Sequence, residues 1–177
     1  MLQLWYTESQ LLLNFTVIDP PKIRLLIGMK YTTDDAVLNL IDEGDVEIVD
    51  SYCRTPLIHA AIWGRTSLVK RILGMGGVID HLDALRMTAL HYAVQEMHIE
   101  VVRILLAAGA DTNTIGVHGN SPLWRAVMQS RDPSICLLLL QHGALSDGKN
   151  AVGLSPRDLA ITQSNDIVLA AMPEMEK

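Results

Sequence analysis

The chain has little from which to build a covalent or catalytic framework. Only two of its 177 residues are cysteines, Cys53 and Cys136, too few for the disulfide scaffold that staples many small secreted domains. Long apolar runs are missing too: LLLNFTVI, the longest near the amino terminus, is about half of the roughly 20 residues that a membrane-spanning helix needs. Glu8 is the only charge before residue 15, so no basic segment precedes that run and it does not read as a secretory signal. The NxT string at Asn14 is therefore read as accidental. There is no HExxH and no GxSxG, and the glycine cluster Gly74, Gly76 and Gly77 lacks the GK[ST] ending of a phosphate loop. His59, His81, His91, His98, His118 and His142 do not pair with cysteines at zinc spacing. These absences argue against an enzyme, a cofactor, a metal site or a small-molecule substrate. With a net charge of −6 and no basic stripe, nucleic acid is not an expected partner. A content of 49% hydrophobic and 19% charged residues is that of a folded globular domain, expected to be soluble, cytoplasmic and free of membrane.

What the chain does have is a repeat. RTPLIHAA, MTALHYAV, NSPLWRAV and LSPRDLAI place Thr55, Thr88, Ser121 and Ser155 at intervals of 33, 33 and 34. A second register runs in step, since Gly44, Gly76, Gly109 and Gly143 close LIDEG, ILGMG, LLAAG and LLQHG at spacings of 32, 33 and 34. A fixed period of this length marks a stacked solenoid. Each Thr or Ser precedes a helical pattern, where its hydroxyl can accept from a free first-turn amide, and Pro56, Pro122 and Pro156 stand where the missing amide costs nothing. Second helices follow with Leu68, Val69, Ile72 and Leu73, then Val101, Val102, Leu105 and Leu106, then Ile135, Cys136, Leu139 and Leu140, stripes at i, i+1, i+4 and i+5. One helical pair is too small to fold alone, so each must bury its stripe against the next.

The TPLHxA-type string at this period resembles the ankyrin repeat over residues 22–173. The resemblance implies an all-α solenoid of stacked antiparallel helix pairs with projecting turn or hairpin loops, binding other proteins through its inner face and turn tips. It divides the chain into an extension, 1–21, expected to dock on the array; an N-terminal capping unit, 22–50; and repeats starting near 51, 84, 117 and 151, within a domain ending at 177. His91 resembles the family's structural histidine, which bonds between units. Cys136 matches Val69 and Val102 and is read as a buried small hydrophobe, whereas Cys53 is read as an exposed thiol. At the slot of Gly119 and Gly153 the first two turns carry Cys53 and Arg86, so these turns are expected to be strained or differently shaped. Asp132 and Pro133 fit a longer helix-to-helix turn in the third unit.

Carried over slot by slot, the family's contact positions fall on Tyr52, Arg54, Leu85, Met87, His118 and Asn120 in the turns, and on Ile62, Trp63, Gln95, Glu96, Met128 and Gln129 at the ends of the first helices. Tyr52, Trp63, Leu85 and Met87 beside Arg54 are types enriched at interface hot spots. Trp63 has a second reading, packing against Leu85 or Tyr92 within the array. His59, Tyr92 and Arg125 share one helical slot and are held as secondary. From residue 31 to 53 seven acids occur with no Lys or Arg: Asp34, Asp35, Asp42, Glu43, Asp45, Glu47 and Asp50. They read either as a solvated cap or as a patch steering a basic partner. The expected function is a non-enzymatic protein-interaction module. The alternatives are an immunity or inhibitor protein that neutralises a toxin or enzyme, and an enzyme whose site the sequence hides. Asn113 resembles an asparagine that is hydroxylated in some ankyrin proteins.

Overall fold

The computed structural model describes residues 33, 34, 37, 46–129 and 133–173. The 1–21 extension, most of the 22–50 unit and Asp132 lie outside the described residues. Asp34 and Val37 are helical, and from residue 46 on the described residues form eight helices and no strand: α1 (Pro56–Ile62), α2 (Thr66–Gly74), α3 (Ala89–Gln95), α4 (Ile99–Ala107), α5 (Pro122–Gln129), α6 (Ser134–Gln141), α7 (Pro156–Thr162) and α8 (Asp166–Ala171).

The hydroxyl caps fall where the sequence places them. Thr55, Thr88, Ser121 and Ser155 accept from the amides of Ile58, His91, Trp124 and Asp158 at 3.4, 3.4, 3.2 and 3.1 Å. Each such cap is worth about 1 kcal/mol. The short helices, six to nine residues, would not persist alone in water, and stacking holds them. First helices stack on first helices, α1 on α3 on α5 on α7, and second on second, α2 on α4 on α6 on α8. Leu57, Leu90 and Leu123 on one layer and Leu68, Ile72, Leu105, Ile135 and Leu139 on the other are buried, each contributing about 1.5–3 kcal/mol of transfer free energy. Cys136 is buried in that second layer and Cys53 is exposed.

The helix exits use left-handed backbone. Gly76, Gly109 and Gly143 have φ of +88°, +89° and +84°, as the glycine register anticipates; Gly44 lies outside the described residues. The turns ahead of the first helices need the same region, and here the structure decides between the two readings of the first two. All four turns share one shape. Cys53, Arg86, Gly119 and Gly153 have φ of +58°, +56°, +73° and +81°, and each amide donates to the carbonyl three residues back, on Asp50, Asp83, Gly116 and Asn150. The first two turns therefore hold this conformation with side chains, at about 1–2 kcal/mol each.

Candidate protein-binding face

Side chains at the start of the turns bear that strain. The Asp50 Oδ1 accepts the amides of Tyr52 and Arg54 at 2.8 and 2.9 Å. Asp83 does the same for Leu85 and Met87, and Asn150 for Val152 and Leu154. The third turn has Gly116 in that slot and loses the anchor. Neighbouring turns are then joined by backbone bonds: Ala84 donates to Tyr52 O, Val117 to Leu85 O and Ala151 to His118 O, at 2.9, 3.0 and 3.0 Å. The tips form a fixed row along one edge of the stack.

Position within a turn determines what the row offers. Three residues before each cap stand Tyr52, Leu85, His118 and Val152, all exposed, Tyr52 at 52% and Leu85 at 47%. One residue before each of the first three caps the side chain instead turns under the tip toward the next repeat. Met87 is only 4% exposed, with its sulfur receiving the Arg125 Nη2 at 3.4 Å. The expectation of Met87 as an exposed contact is thus corrected: its slot faces the neighbouring repeat. Asn120, in the same slot, takes the Asn150 amide at 2.8 Å. Arg54, again in that slot, lies 3.5 Å from the Asp83 carboxylate, donates to the Tyr92 hydroxyl at 3.1 Å, and sits 5.0 Å from the Tyr52 ring and 5.2 Å from that of Tyr92. Both ring distances suit a cation–π contact.

Asp83 is the centre of this network. It is buried, and besides the two amides and Arg54 it accepts the Tyr92 hydroxyl at 2.6 Å. Burial and the bond to Asp83 push the Tyr92 phenol up to about 12. Burial lowers the Arg54 guanidinium, but Tyr92, Asp50 and Asp83 outweigh it and the net shift is upward. Burial raises the Asp50 carboxyl, yet the His59 ring at 3.0 Å and the Arg54 and Tyr52 amides leave it below its usual range. His91 accepts the Thr88 amide on Nδ1 at 3.2 Å, so its proton sits on Nε2 and is donated to Asn120 O at 3.3 Å. Burial, with the charge of Arg125, pulls this ring down to about 4, so it is neutral at pH 7. As the resemblance implies, it links two repeats.

The ends of the first helices form a second row. Trp63 is 41% exposed and Met128 more so, with Glu96 and Gln129 also exposed, while Ile62 packs partly against the core. Gln95 is half-buried, accepting Arg125 Nη1 at 2.9 Å and donating to Glu96. Tyr52 and Trp63 flank α1, whose seven residues span about 10 Å. His59 and Arg125, the secondary residues, are committed to Asp50 and to Gln95 and Met87. Asn113 is tied at both ends of its amide, to Gly143 O and the Leu145 amide. Of the seven acids, the three described ones are engaged: Asp34 with Arg65, Glu47 with the Val78 amide and Asp50 with His59. Sequence reasoning missed Asp83 and the turn-opening role of Asp50. The signal was available, because Asp50, Asp83, Gly116 and Asn150 recur at the same period five residues before each cap.

A stack of helix pairs with an edge of linked turns and an open row of first-helix ends defines the ankyrin class of repeat protein. The ankyrin-repeat profile matches residues 25–116 and 65–151, and the chain belongs to this family, whose repeats are in general protein-interaction modules. It is 30% identical over 156 residues to a fowlpox virus ankyrin repeat protein, covering 84% of this chain and 46% of that one. It is 36% identical over 124 residues to the chicken (Gallus gallus) nuclear factor NF-kappa-B p105 subunit, covering 66% and 12%. It is 34% identical over 102 residues to the mouse (Mus musculus) RelA-associated inhibitor, covering 54% and 12%. The chain spans less than half the length of each of these relatives. No helix among the described residues is long and apolar enough to cross a membrane.

Proposed function

We propose that the chain is a non-enzymatic module that captures a partner protein along the turn row and the inner helix ends of its first two repeats. The observation that carries this is Tyr52 and Leu85 standing half exposed on turns whose backbone is already fixed by Asp50 and Asp83. Large side chains held in place before binding lose little conformational freedom when a partner arrives, and aromatic residues and arginine dominate interface energetics. Trp63 completes the anchor, Arg54 supports the Tyr52 ring from beneath, and His118, Met128 and Gln129 extend the row along the stack. Two cysteines, one exposed and one buried in the second helix layer, are too few for the disulfide framework of a small secreted domain, which supports a cytoplasmic setting. One relative bears the name of an inhibitor, and that name supports a narrower reading in which occupancy blocks the partner.

The test is capture from native lysate by the wild type and by a Tyr52→Ala, Trp63→Ala double variant. Affinity should fall by more than about 2 kcal/mol while the circular dichroism stays that of the wild type. Equal affinity in a folded double variant would contradict the proposal. If the aromatic and apolar anchor carries the binding, capture should also survive moderate salt, which screens exposed charges. Loss of capture in salt would favour an acidic patch steering a basic partner.

A further inference from the structure

The charge of the turn row runs against that of the chain. The whole sequence carries a net −6, yet in the first three turns, 50–54, 83–87 and 116–120, the acids are Asp50 and Asp83 alone. Both are spent inside. The Asp83 side chain is 0% exposed and holds Tyr92, Arg54 and two turn amides. That of Asp50 is 13% exposed and holds His59 and two turn amides. The cations of the same turns are Arg54, whose side chain keeps 25% of its surface beside the Tyr52 ring, and Arg86. Arg86 is exposed, and its side chain makes no hydrogen bond or ion pair among the described residues. In its slot the turn before carries Cys53 and the turn after carries Gly119, so the neighbouring tips offer it no counter-ion. The exposed carboxylates of the loops stand apart from the tips. Glu47, Asp111 and Asp147 lie eight to ten residues before the caps, each holding an amide, a hydroxyl or a guanidinium there. Glu96 closes the far end of α3, whose seven residues set about 10 Å between it and the Arg86 turn.

From this charge pattern on an apolar row, we infer that the partner presents an acidic segment, with apolar side chains beside Tyr52 and Leu85 and a carboxylate against the Arg86 guanidinium. The inference rests on the turn row being the capture surface and names the chemistry that row selects. A guanidinium offers a carboxylate two parallel N–H donors, a geometry that an ammonium lacks. A basic segment would bring like charge to Arg86 and meet no free carboxylate on these tips, and such juxtaposition rejects partners. At physiological salt the field of the acids elsewhere on the chain fades within about 8 Å, so the charge at the tips decides. Tyr52, Leu85 and Val117, each about half exposed, supply the apolar contact on either side. Packed helices lie about 8–10 Å apart and an extended chain advances about 3.3 Å per residue, so a segment of about ten residues covers the first three tips.

The experiment uses three synthetic peptides of about that length, with Leu and Phe at alternate positions and Glu, Gln or Lys between them. Each is titrated by fluorescence anisotropy against the full 177-residue chain at low salt. The Glu peptide should bind about fivefold tighter than the Gln peptide and about tenfold or more tighter than the Lys peptide, with the gaps narrowing as salt is added. Arg86→Glu should reverse the order. Arg86→Gly installs the residue found in this slot at Gly119 and Gly153, so the fold is not threatened; it should erase the gap between the Glu and Gln peptides while the thermal midpoint is kept. Lys70→Glu, the same change of charge on the exposed side of α2, should leave the order as in the wild type. Equal affinities for the three peptides, binding by none, or a Lys peptide that binds best would overturn the inference. So would a preference for Glu that outlives both Arg86 changes. The capture surface itself is judged separately by the Tyr52→Ala, Trp63→Ala variant, whose loss of affinity should be the same for all three peptides.

Discussion

The second and third turns have the same backbone and opposite means of holding it. Arg86 and Gly119 occupy one slot, at φ of +56° and +73°. In the second turn a side chain is kept in the left-handed region, and the buried Asp83 binds two turn amides, a phenol and a guanidinium. In the third turn Gly116 supplies no anchor, Gly119 relieves the strain, and the following turn packs close by, so that a Cβ at Gly119 would lie 2.9 Å from the Ala151 nitrogen. Among the turns ahead of the first helices, left-handed backbone with a side chain occurs only in the first two, where Asp50 and Asp83 anchor the turn and fix its aromatic and apolar tip; Met97 and Ser164 hold the same conformation in turns between paired helices.

The difference between the turns is tested most severely at Asp83. Asp83→Ala leaves the Leu85 and Met87 amides, Tyr92 and Arg54 without their acceptor, and urea unfolding should show a loss of about 3–5 kcal/mol. Asn150→Ala, in the same slot but bonded to the amides of a more exposed turn, should lose about 1 kcal/mol. Equal losses would mean that the two turns are held alike.

The second repeat should also be the pH-sensitive one. The His91 ring is lowered to about 4 from 6.5, so the unfolded chain takes up the proton first as pH falls. The stability contributed is complete above pH 6.5 and gone below about pH 4, a change of about 3 kcal/mol. Unfolding midpoints measured at steps through that window should trace the loss, and His91→Gln should flatten it although its stability at pH 7 is lower. In the third repeat Trp124 stands at the matching helical position and contributes no such dependence.

The smallest effect separates the two glycine turns. Gly153→Ala meets nothing within 4 Å and should cost about 1 kcal/mol for its left-handed backbone. Gly119→Ala should cost about 2–3 kcal/mol, because strain and the Ala151 contact add. Thermal melts of the two variants, with equal shifts, would show that the turn row is looser than its backbone bonds imply.

Much of this architecture was legible because it is periodic. A hydroxyl cap, a proline and a glycine exit each have a local physical cause, and repetition at one spacing separates them from accident. The site was legible only in part. Tyr52 and Leu85 could be placed on turn tips by slot, but that Met87 faces the next repeat depends on Arg125, 38 residues away, which no local pattern reports. Asp83 was overlooked for a related reason: its period is visible, yet the third repeat breaks it with Gly116, and its importance comes from Arg54 and Tyr92, which belong to different repeats.

Hydrogen–deuterium exchange on the complex recovered from lysate tests the central claim most directly. Residues 50–63 and 83–96 should exchange more slowly in the complex than in the free chain, while the exposed side of α2 and α4, at Lys70, Arg71, Glu100 and Arg103, should be unchanged. Protection confined to α2 and α4, with the turn row exchanging as in the free chain, would contradict the account.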